Sequence, residues 1–79
     1  MVRGVFPIVS SIGLPLPDIL KKLRQNDMVV DWIDFYDQAI DEGWKSERTL
    51  VRIKDSVDDV FGPVTGKRVL KRLKLYLKI

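Results

Sequence analysis

The chain has 79 residues, with no cysteine and no histidine, and its 14 basic and 11 acidic side chains leave a net charge of +3. That length allows one domain, near the small end of what folds without a staple. Lacking cysteine, it has no disulfide or thiolate metal site; lacking histidine, it has neither the commonest general base nor the commonest zinc ligand, so the composition argues against an enzyme and implies no metal or other cofactor.

The apolar fraction of 46% and charged fraction of 32% suit a compact soluble domain. The net charge hides a marked asymmetry. Residues 26–42 hold six acids and no base, and residues 67–78 hold six bases and no acid. No stretch approaches the ~18 uninterrupted apolar residues of a membrane span. The opening MVRGVFPIVSSIGLPLP has one cation and an apolar run, but Pro7 and Gly13 interrupt it and no small-residue cleavage site follows. It reads as mature sequence of a cytoplasmic protein.

Residues 1–14 are the least regular part. Val5, Phe6, Ile8 and Val9 suit a short extended segment, yet Pro7 cannot donate a ladder hydrogen bond. The expectation is an irregular apolar arm lying across the helices and covering part of a small core. Its alternative is an arm that adds to a partner or to a second copy of the chain.

Leu14-Pro15-Leu16-Pro17-Asp18 reads as a helix entrance, because proline is tolerated in a first turn and Asp18 suits the positive end of the dipole. Ile19, Leu20 and Leu23 give a short apolar stripe, and the helix is expected to end near Gln25. Asn26 and Asp27 are capping residue types, so a second helix is expected from Asp27 to Glu42. At 100° per residue, Val29, Trp32, Ile33, Tyr36, Ala39 and Ile40 share one arc of it. Asp27, Asp31, Asp34, Gln38 and Asp41 share the opposite arc. Gly43 is a natural stop.

Ser46 is the expected N-cap of a third helix, whose buried stripe is Leu50, Ile53, Val57, Val60 and Phe61. On its outer face the spacing pairs Arg52 with Asp55 and Lys54 with Asp58. Gly62-Pro63 ends this helix, and Thr65 is placed to cap a fourth. The predicted fold is therefore all-α: an irregular arm over residues 1–14, then a single domain over residues 15–79 with four helices, the first short.

The last segment, GKRVLKRLKLYLKI, is the clearest amphipathic helix in the chain. Lys67, Lys71, Lys74 and Lys78 fall on one face, with Arg68 and Arg72 on a flank. Val69, Leu70, Leu73, Tyr76 and Leu77 fill the opposite face. A row of lysines over three turns, about 17 Å, neutralises phosphates without reading bases. The same pattern also fits a solubilising outer face, or a helix docking on a membrane surface or acidic groove. The acidic row is strung along a helix and lacks the converging loop that a hard cation needs, so it offers no metal site.

A helix-turn-helix frame over residues 46–79 fits poorly, because the buried places of its second helix fall on Arg68 and Lys71. The run from Gly62 to Arg68 lacks phosphate-loop spacing, and Ser10-Ser11 has no base to activate it. The sequence thus supports a non-enzymatic binding or accessory protein whose Lys67, Arg68, Lys71, Arg72, Lys74 and Lys78 contact nucleic-acid phosphates. The alternative is a protein–protein module (adaptor, inhibitor or self-assembling subunit) that uses Asp27, Asp31, Asp34 and Asp41 or the N-terminal arm. Matching acidic and basic rows also admit a homo-oligomer joined head to tail.

Overall fold

Five helices make up the computed structural model, which describes residues 1–78. They are α1 (Val5–Pro7), which runs straight into a π-helical turn over Ile8–Ile12, then α2 (Leu16–Gln25), α3 (Trp32–Asp41), α4 (Ser46–Phe61) and α5 (Pro63–Leu77). Ile79, the last residue of the basic segment, lies outside the described residues. The class is all-α, with one helix more than the four expected. Among the described residues the extended structure is a single parallel bridge between Val2 and Val30.

The N-terminal arm covers the core as expected, but it is helical over residues 5–12 where an irregular course was expected. Val2 donates its N–H to the Val29 carbonyl at 2.7 Å and accepts from the Asp31 N–H at 2.8 Å, which fixes the chain against the approach to α3. Gly4, at φ 77, then turns it inward in a conformation that costs a residue without a side chain little. The following turn is helical because Pro7 sits early enough that its missing N–H costs no intrahelical bond. Val5 and Phe6 are 1% exposed. The Phe6 ring meets Phe35 edge-on at 5.3 Å and Trp44 at 5.0 Å. The arm is part of the core.

α2 begins and ends where its residues predict, entered through Pro15 with Asp18 in its first turn. Its end also corrects the reading of Asn26-Asp27. Asp27 takes the left-handed conformation (φ 53). Its N–H bonds back to the Arg24 carbonyl at 3.1 Å, and the Met28 N–H bonds to the Leu23 carbonyl at 2.9 Å. This pair of bonds closes a helix, with Asp27 in the place glycine usually takes. The next helix therefore starts five residues later than expected, at Trp32. Asp31 caps it by accepting the Asp34 N–H at 3.2 Å.

In α3 the buried line is Phe35, Tyr36 and Ala39, with Trp32 and Ile33 partly covered. Val29 and Ile40, expected on the apolar arc, are exposed, and Phe35 takes the centre. Gly43, at φ 94, stops the helix as expected. α4 buries Leu50, Ile53, Val57 and Val60 of the predicted stripe, with Phe61 only partly covered, together with Thr49, whose hydroxyl donates to the Lys45 carbonyl at 2.8 Å. Lys45, in an extended conformation, is the N-cap residue rather than Ser46, whose hydroxyl is paired with that of Tyr36 at 2.6 Å. Lys54 and Asp58 do pair, at 2.6 Å. Arg52 instead lies over the Trp44 ring, 5.4 Å from its centre.

Gly62, at φ 95, is the single residue between α4 and α5. Pro63 opens α5 directly, so Thr65 falls inside the first turn instead of capping it. α2, α3 and α5 all pack on α4, and α1 packs on α3. The Arg24 side chain joins the end of α2 to the end of α4, donating to the Val60 carbonyl at 2.6 Å. The radius of gyration is 11.6 Å, the value of about 12 Å expected for a packed chain of this length.

Candidate nucleic-acid interface on the basic helix

How α5 is oriented follows from one small residue and one large one. Gly66 and Leu73 are buried two turns apart on the same line of the helix, and Val69, Leu70 and Leu77 pack partly beside them. At Gly66 the helix approaches α4 so closely that a Cβ there would overlap the Asp58 carboxylate. This line fixes the rotation of α5 about its axis. The opposite side must then face outward.

All six predicted cations, Lys67, Arg68, Lys71, Arg72, Lys74 and Lys78, are exposed. Among the described residues none of them is in an ion pair, whereas Arg3 and Lys54 are. Lys67, Lys71 and Lys74 flank a shallow groove with Leu70 and Leu75. Tyr76, expected on the buried face, is instead 46% exposed. Its hydroxyl donates to the Asp37 carboxylate at 2.9 Å, and that bond raises the hydroxyl's pKa above its ordinary value.

Arg68 and Arg72 lie about 100° round the helix from Lys67 and Lys71 and face the start of α3. There they rim a cleft of about 180 Å³ whose walls include Val30, Trp32, Ile33, Val69 and Leu73. The sequence assigned Trp32 to the core, and no signal within it places that residue in one cleft with two arginines. The juxtaposition depends on α3 packing against α5, a tertiary contact.

The acidic set does not form the row that helical spacing predicted. Asp27 belongs to the end of α2 and Asp31 caps α3. Asp34 turns toward the N-terminal arm, with its side chain 11% exposed. It accepts the Gly4 N–H at 2.9 Å and the Gln38 amide at 2.9 Å, and Arg3 lies 3.5 Å away. These bonds, the one from Gly4 foremost, hold its pKa below the ordinary carboxylate range against a smaller opposing effect of burial. Asp41 remains exposed at the end of α3. No four-membered acidic row is left to complement the lysines of a second copy. Among the described residues no group of three or more potential ligands converges on a metal position, and no helix is long and apolar enough to cross a membrane.

Searches of protein-family models, of curated proteins and of solved structures find no match to this chain.

Proposed function

We propose that this protein is a non-enzymatic nucleic-acid-binding module that lays α5 along a phosphate backbone. The observation that carries the reading is the state of the six cations on α5. They are exposed and, among the described residues, free of ion pairs, while the other side of the same helix is anchored through Gly66 and Leu73. A docked apolar side favours a polyanion over a membrane surface, because an interfacial helix needs its apolar face for lipid. Contact of this kind positions the protein and carries little sequence preference. A cytoplasmic setting is compatible with it.

The alternative, an acidic-helix partner surface, loses support because Asp31 and Asp34 are engaged within the chain. The test is a variant with Lys67, Lys71, Lys74 and Lys78 changed to glutamine. It is expected to keep its helical circular-dichroism signal and to lose binding to both duplex and single-stranded DNA or RNA of random sequence. Retained binding at unchanged affinity would refute the reading.

A further inference from the structure

We infer that the cleft between the start of α3 and α5 receives one unstacked base of a single-stranded nucleic acid whose phosphates run along the basic face. This inference rests on the phosphate-contact reading and makes it specific: the preferred ligand is a single strand.

Size, lining and charge argue together. The cleft holds about 180 Å³, and a cavity of ~150 Å³ is enough for a benzene ring. Its lining is mostly apolar, with the aromatic residue Trp32 among its walls beside Ile33 and Val69. Bases of any identity stack on such rings. Its rim carries Arg68 and Arg72, one helical turn apart and both exposed. A ligand that fits must therefore join a flat apolar ring to a nearby anion, which describes a nucleotide. The lysine row is the adjacent stripe of the same helix, so a backbone crossing α5 there brings its bases toward the arginines.

One acid, Asp31, also lines the cleft, and it is already engaged. Its carboxylate accepts the Asp34 N–H at 3.2 Å and lies 3.9 Å from the Arg3 guanidinium. It therefore opposes an incoming phosphate less than a bare carboxylate would. Paired bases inside a duplex cannot reach the cleft without being flipped out, at a cost of a few kcal/mol. This is the origin of the single-strand preference.

The experiment compares three labelled probes on the full chain at low salt: a mixed-sequence single strand, an abasic strand of equal length, and a duplex. The abasic strand keeps the phosphates and removes the rings. The intact strand is expected to bind roughly five- to a hundredfold more tightly than the abasic one, the range of one base–aromatic stack. It should also bind more tightly than the duplex and quench tryptophan emission, which the abasic strand leaves unchanged. Trp32→Ala is a poor probe because it also touches Phe35, so the second variant is Val69→Phe, which fills the cleft and keeps every cation. In that variant the difference between intact and abasic strands should vanish. Equal affinities with unchanged emission in the wild type would overturn the cleft inference and leave phosphate contact standing. No binding of any strand would overturn both. Quenching by an acidic peptide bearing an aromatic side chain, with no quenching by the strands, would replace the base by a protein partner.

Discussion

Replacing Gly66 by alanine tests the close approach that orients the basic helix. In a helix interior this exchange alone stabilises by ~1 kcal/mol, because alanine has less backbone freedom to lose. Here the added Cβ would overlap Asp58 Oδ1 and come within 2.8 Å of Asp58 Cγ, with the Lys54 carbonyl at an ordinary 3.5 Å. The carboxylate cannot turn away freely, since its other oxygen is held by Lys54 at 2.6 Å. Overpacking of this kind costs ~1–3 kcal/mol. Set against the propensity gain, Gly66→Ala is expected to destabilise by up to about 2 kcal/mol, and each kcal/mol lowers Tm by about 4–8 °C in a domain of this size.

Among the described residues Asp58 Oδ1 is buried with no hydrogen-bond partner, so Asp58→Ala removes both the obstacle and an unsatisfied atom. It sacrifices only one i,i+4 ion pair, worth ~0.3–0.5 kcal/mol when exposed. The double variant should therefore be at least as stable as the wild type, with a coupling energy of ~1–3 kcal/mol. Denaturant unfolding followed by circular dichroism on all four proteins reads this directly. A Gly66→Ala protein that gains stability by itself, or one that Asp58→Ala does not rescue, would refute the proposed crossing geometry.

Two further substitutions test the N-terminal arm. Phe6→Ala removes a ring that is 1% exposed; such truncations cost ~3–5 kcal/mol, a large part of the roughly 4–12 kcal/mol a chain of this length holds. Urea unfolding should show that loss, and a change below ~1 kcal/mol would mean the arm is not core. Asp34 has its folded pKa depressed, chiefly by the Gly4 N–H, so its contribution is fully present above the unfolded carboxylate value of ~3.9 and disappears as pH falls through the folded value. Asp34→Asn should be less stable than the wild type at neutral pH, and the gap should close below about pH 4. A gap that does not change with pH would show that the carboxylate charge is not what holds the arm. Arg3 contributes little to this effect, since its side chain is 76% exposed.

Local spacing made α2, α4 and α5 legible. Leu50, Ile53, Val57 and Val60 recur with helical period and are buried together. The basic face was legible for the same reason, because a helix's exposed side follows from its apolar side. Asp27 and Asp31 were harder to tell apart. Aspartate serves at both helix starts and left-handed stops, and the choice here is made by Val2 bonding across Val29 and Asp31. The arm turned on a similarly remote contact. Pro7 speaks against a strand and suits a first helical turn equally well, and the turn is fixed by Gly4 bonding to Asp34, 30 residues away. The cleft beside Arg68 and Arg72 was invisible because its walls come from two elements that meet only in the folded chain.

The central claim, that α5 binds phosphates, is tested most directly by the salt dependence of affinity for a random single strand. If the lysines Lys67, Lys71, Lys74 and Lys78 and the arginines Arg68 and Arg72 each neutralise one phosphate, log K should fall against log salt with a slope of about −4.2. Changing those lysines to glutamine one at a time should flatten the slope by about 0.7 each. Absence of binding at low salt, or a slope that the lysine substitutions leave unchanged, would contradict the account.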